Sequence, residues 1–199
     1  MGQYWIPVNL DKKEFISPHK LGAGLKLCEQ LACHPGTGAA LLVLCAAQRG
    51  QRGGGDFDVD TNWHGPERQF PRDDAQPGPM PEEYQAIAQR TIGRWAGDRI
   101  ALVGDYAKDS DLDEEHKAAS IYKRCLSDEE AVKVLAQLTT NMAGVSDQEE
   151  LEALKAEVRE IITNRFRDIT DDVCAVICHE LHGEFTGSGW CEFRRKRNK

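Results

Sequence analysis

Helical spacing in the C-terminal half constrains this chain more than any other feature. Apolar residues recur at Ala131, Val134, Leu135, Leu138 and Met142, then at Leu151, Leu154, Val158, Ile161 and Ile162, and again at Val173, Val176, Ile177 and Leu181. Intervals of three and four put each set on one helix face, and each face must be buried against something. The starts are also marked. Ser127 with Glu130, and Ser146 with Glu149, have capping-box spacing, in which hydroxyl and carboxylate satisfy each other's backbone N–H groups. Thr170 stands where a third helix needs its cap, Asp171 and Asp172 sit at its positive end, and Gly183 stops it. Three short-linked amphipathic helices are expected after Leu126, packed on each other or on a sheet.

The first half has a different grain. Tyr4–Val8 is a β-prone run, and Pro7 inside it points to an edge strand or a bulge. Polar Asn9–Lys13 can turn, and Glu14–Ile16 can return as the partner strand. Thr37 is a candidate N-cap for the Ala- and Leu-rich segment Gly38–Gln48. Ile92–Tyr106 reads as a second hairpin turning at Gly97-Asp98, with Ile100–Val103 as its return arm and Gly104-Asp105 at its end. An acidic loop, Asp109–Glu115, follows. The expected fold is α+β, with antiparallel hairpins in the N-terminal half packed with helices and a three-helix C-terminal half. We expect a single domain over residues 1–199, with two appendages. One is a long Gly/Pro/Asp-rich loop at about 49–83, containing Gly53-Gly54-Gly55, Pro71, Pro77, Pro79 and Pro81. The other is the basic tail Arg194–Lys199.

A net charge of -8 repels phosphate backbones, so nucleic-acid contact is expected only through that tail. A hydrophobic content of 40% is enough for a real core. The longest apolar run, Ala39–Ala47, is about half of the ~20 residues that cross a bilayer. Met1–Leu10 lacks the basic start and apolar core of a signal peptide, and Ile6 stands where myristoylation wants Ser or Thr. The seven cysteines are expected to be reduced thiols, mostly buried. Together these features predict a soluble intracellular protein, cytoplasmic, with a tail that would also suit nuclear import.

Two segments carry a resemblance. Tyr4-Trp5-Ile6-Pro7-Val8-Asn9-Leu10-Asp11-Lys12-Lys13-Glu14, with Ser17-Pro18-His19-Lys20-Leu21-Gly22 just after it, is one. Gly93-Arg94-Trp95-Ala96-Gly97-Asp98-Arg99-Ile100, continuing to Val103-Gly104-Asp105-Tyr106, is the other. Over about a quarter of the chain, the sequence resembles a group of small uncharacterised proteins that share both segments. The resemblance implies a shared fold and carries no activity.

Three constellations bear on chemistry. Cys174, Cys178 and His182 lie four apart on the third helix, and zinc accepts Cys and His in tetrahedral sets. The first and last of them are about 12 Å apart along the axis, so at most two can meet one ion, and no bound zinc is expected. His179-Glu180-Leu181-His182 departs from the zinc-protease helix motif because its histidines are three apart instead of four. Asp98, Asp105, Arg94 and Arg99 cluster around the second predicted hairpin. Two carboxylates near arginines suit acid–base work or a divalent cation, but they equally suit turns. No nucleophile or glycine-rich phosphate loop accompanies them, and no cofactor is expected.

The expected function is therefore a non-catalytic interaction or structural protein, a subunit of a larger assembly with protein partners. The residues expected to meet those partners are Trp63 and Phe70, the loop's large anchors with Phe57, and Arg194, Arg195, Lys196 and Arg197 of the tail. The rival expectation is a small hydrolase with its site at Asp98 and Asp105.

Overall fold

The computed structural model describes residues 3–21, 26–32, 36–47 and 82–180. The loop candidates Trp63 and Phe70, the tail Arg194–Lys199, and His182, Leu181 and Gly183 lie outside the described residues, as does the side chain of Cys178. The fold is mixed α+β, with strands and helices in the N-terminal region and helices dominating after Leu126. It divides into two compact units, Met1–Ser17 with Leu25–Leu27 and Asp98–Ile169, and Pro18–Gly24 with Cys28–Gly97 and Thr170–Lys199.

The first unit is built on a four-stranded sheet of order β3-β1-β2-β4. Strand β1 (Trp5–Asn9) turns at 10–13 into β2 (Glu14–Phe15), as the polar run predicts. Lys13 takes a left-handed φ of 51° to close that turn. Strand β3 (Ile100–Gly104) pairs antiparallel with β1 over five residues, and β4 (Arg167–Asp168) lies parallel to β2. β1 is therefore central, not the edge that Pro7 suggested. The proline is tolerated because it falls where β2 ends. Its carbonyl accepts the Ile16 N–H at 3.2 Å, so its ring nitrogen faces away from β3 and removes no bond from the five-residue β1–β3 ladder.

One face of the sheet is apolar by period two. Val8, Phe15 and Val103 meet Ala118, Ile121 and Cys125 around helix α4 (Ala118–Arg124), with Phe166 completing the cluster. The Arg124 guanidinium lies over the Phe166 ring, 5.5 Å from its centre. Helices α5 (Asp128–Gly144) and α6 (Gln148–Asn164) follow and pack on each other.

The second unit holds α2 (Thr37–Cys45), α3 (Glu82–Thr91) and α7 (Thr170–Glu180), with α7 packed on both others. Short α1 (Leu27–Ala32) precedes them. Val173, Val176 and Ile177 are buried, as the predicted stripe requires. Arg90 forks onto Asp172, Nε to Oδ2 at 3.0 Å and Nη2 to Oδ1 at 2.7 Å, and so ties α3 to the first turn of α7.

The second predicted hairpin does not form. Only its return arm is a strand, and that strand pairs with β1. Ile92–Gly97 is instead a series of turns after α3, with Gly93 and Gly97 at φ 70° and 85°. The N–H groups of Gly93 and Trp95 donate to the Val43 and Leu44 carbonyls at 2.9 and 2.8 Å, satisfying acceptors that the end of α2 leaves open. Trp95 is fully buried. Thr37 is the first helical residue of α2, not its cap. Gly36 is the N-cap, and it makes no side-chain bond.

Candidate functional site

Tyr4–Glu14 of one quoted segment and Asp98–Tyr106 of the other meet on the sheet of the first unit. The register runs Trp5 opposite Gly104 through Asn9 opposite Ile100. Their polar residues gather at one end of that ladder, where the β1–β2 turn lies against the approach to β3.

Asp98 accepts from the Asn9 amide at 2.7 Å and pairs with Lys12. Asn9 is fully buried, and its Oδ1 accepts the Lys12 N–H at 2.8 Å, which shapes the turn. Asp11 answers from the other side. Its Oδ2 accepts the Arg99 N–H at 2.7 Å and its Oδ1 the Arg99 Nε at 2.8 Å. Arg99 also reaches Glu115 at 3.6 Å. Beside it, Asp113 Oδ1 meets both the His116 N–H and its ring Nδ1, at 2.8 and 2.7 Å.

All three aspartates are held below the ordinary carboxylate range. For Asp98 the cause is the Lys12 ammonium and then the Asn9 amide. For Asp11 it is the Arg99 backbone N–H and then its guanidinium. For Asp113 it is the His116 side chain. Such groups stay ionised at neutral pH and are poor proton donors, because a general acid needs its pKa raised toward the working pH.

The acid–base candidates are not brought together. Asp98 precedes β3 and Asp105 follows it, and at about 3.3 Å per residue the strand puts roughly 20 Å between them. Two carboxylates flanking one scissile bond stand within about 10 Å. Asp105 serves locally instead: its Oδ1 accepts the Tyr4 N–H at 3.0 Å, and its own N–H donates to the Tyr4 carbonyl at 3.0 Å. Arg94 donates to the Arg90 carbonyl at 3.3 Å.

Cys174 is buried. The described cysteines divide evenly, with Cys125 and Cys174 buried and Cys28 and Cys45 exposed, so the expectation of mostly buried thiols holds for half of them. Burial pushes the Cys125 thiol far up, which makes it an inert packing group. One grouping went unread in the sequence. Asp113, Glu115 and His116 offer ligand atoms within 4.8 Å of one another. The signal was a histidine three residues after an aspartate in a stretch read only as an acidic loop. Arg99 already supplies positive charge beside Glu115, so the grouping is balanced as ion pairs.

A concave surface lies elsewhere in this unit. A groove of about 350 Å³ runs between α5 and α6, lined by Ala131, Val132, Leu135, Ile161 and Ile162 together with Asp128 and Arg165. Those two form an ion pair at 2.5 Å. α5 buries only Ala131 and Leu138, and α6 only Ile161. Val132 and Ile162 are 67% and 66% exposed. Among the described residues no helix is long and apolar enough to cross a membrane. No protein-family model, curated protein or solved structure matches the chain.

Proposed function

We propose that the protein is a non-catalytic interaction module, a subunit of an assembly, whose partner lays an amphipathic helix into the α5–α6 groove. One observation carries the reading: two helices of 17 residues each bury three side chains between them and leave Val132 and Ile162 in water. Amphipathic helices of this length normally bury a full stripe. A third helix with apolar residues at intervals of three and four would complete that burial as a three-helix bundle. The rim supports this occupant. Asp128 and Arg165 line the groove as an ion pair that leaves both signs of charge for a peptide to meet. The polar cluster at Asn9, Asp11, Asp98 and Arg99 then fixes the turn at the end of the sheet. Trp63, Phe70 and the tail residues Arg194, Arg195, Lys196 and Arg197 complete the proposed contact set, and the resemblance is read as a shared sheet. An intracellular setting, cytoplasmic or nuclear through the tail, belongs to the same proposal.

The test is affinity capture from the native source, comparing the full chain with Val132→Glu/Ile162→Glu, read by quantitative mass spectrometry. The double variant should lose its specific partners while its circular dichroism and melting midpoint stay in place. Asp98→Asn and Asp105→Asn should keep them. Unchanged capture by the groove variant, with an enzymatic activity abolished by either Asn variant, would transfer the function to the sheet end.

A further inference from the structure

β3 is a terminal strand of the sheet, and from Ile100 to Val103 it lacks the proline, charge or bulge that keeps such edges from pairing. It reads Ile100-Ala101-Leu102-Val103-Gly104, with no proline and no charge, and its unbroken register against β1 leaves no bulge. Ile100 and Leu102 are 37% and 39% exposed on the face away from the core.

The bonding pattern says which backbone groups look outward. Leu10 N–H donates to Arg99 O, and Asp105 N–H to Tyr4 O. Antiparallel ladders alternate, so Arg99, Ala101, Val103 and Asp105 point their peptide groups at β1, while Ile100, Leu102 and Gly104 point theirs away. The Gly104 carbonyl accepts from Ala107 at 3.0 Å. The N–H and C=O groups of Ile100 and Leu102 have no partner among the described residues, whereas Gly104 is buried, with the Gln3 side chain packed against it.

We infer that β3 is a self-association edge, on which a second copy of this chain pairs antiparallel about Leu102. Centring there matches open groups at the axis: Leu102 faces Leu102, with Ile100 opposite Gly104. Two bonds form at the axis, each Leu102 N–H donating to the other copy's Leu102 carbonyl. The same register puts Arg99 of each copy opposite Asp105 of the other. This charge complementarity selects it over registers shifted by two. Arg99 uses Nε on Asp11 and Nη1 on Glu115, and Asp105 uses Oδ1 on Tyr4. The Arg99 Nη2 and Asp105 Oδ2 remain for the second copy. Leu102 meets its counterpart on the exposed face, where its side chain leaves water. The interface uses a different surface from the α5–α6 groove and stands or falls separately.

The experiment is sedimentation equilibrium of the full chain over a concentration series, with native mass spectrometry of mixtures. The wild type should show a concentration-dependent dimer. Leu102→Lys, which sets two ammonium groups against each other at the axis, should weaken it at least tenfold. Arg99→Asp and Asp105→Arg should each weaken it alone, and their equimolar mixture should recover heterodimer, because only the mixture restores both opposed pairs. Fold damage would not be repaired by mixing, so the mixture decides the matter even if Leu102→Lys is poorly folded. A wild type monomeric throughout, a dimer indifferent to Leu102→Lys, or a mixture with no recovery overturns the inference.

Discussion

Asp98 shows how one carboxylate can be structural without being buried. Its value lies in the fully buried Asn9 amide that it satisfies. Asp98→Asn keeps an acceptor there and gives up only the Lys12 pair, so urea titration should show a cost of about 1 kcal/mol or less. Asp98→Ala leaves the Asn9 amide unpaired and should cost about 1–3 kcal/mol. Equal costs for the two would contradict the assignment. The pH dependence follows in sign. Asp11, Asp98 and Asp113 have folded values below their unfolded ones, so their contribution is complete above the unfolded value near 3.9. It is lost as pH falls through the lowered folded values. Between pH 7 and pH 3 the urea midpoint of Asp11→Asn/Asp98→Asn should fall less than that of the wild type. That Asp98 and Asp105 stand beside Gly97 and Gly104 at the two ends of a strand was legible, though the hairpin turn expected at Gly97-Asp98 does not form. Their partners were not legible, because Asn9 and Asp98 are 89 residues apart and meet only through strand pairing.

Capping separates what helix signals in a sequence can and cannot settle. Ser127 and Glu130 form the predicted box in full, Glu130 N–H to Ser127 Oγ at 3.2 Å and Ser127 N–H to Glu130 Oε2 at 2.9 Å. The next box is displaced by one residue. Asp147, not Ser146, caps α6, and its Oδ1 accepts from Glu149 and Glu150 at 2.9 Å each. Two adjacent good cappers cannot be ranked by spacing, and the carboxylate gains more from the helix dipole. Ser127→Ala and Asp147→Ala should each lower stability by about 1 kcal/mol, and Ser146→Ala should be near neutral, in the same chemical-denaturation assay. A loss at Ser146 matching that at Asp147 would return the cap to the serine. The false hairpin has a similar cause. Ile92 and Trp95 are β-prone, yet they are fully buried in turns whose N–H groups close the end of α2, and local propensity carries no trace of that partner.

Across the molecule, the α+β class and the long C-terminal helices were readable from periodicity, because amphipathic stripes report burial directly. Which stripe stays half covered was not. The spacing of Leu151, Leu154, Val158 and Ile161 promises a buried face, and only the structure shows that Ile161 alone of these is buried. The groove likewise belongs to α5 and α6 together and to neither segment alone. That half-covered face is the ground for reading the protein as an interaction module. The direct test is hydrogen–deuterium exchange of the full chain, alone and with a captured partner. The account predicts new protection over Ala131–Met142 and Leu154–Ile162, with the turn at Asn9–Lys13 and Asp98–Arg99 unchanged. Protection confined to that turn, with α5 and α6 exchanging as before, would contradict it.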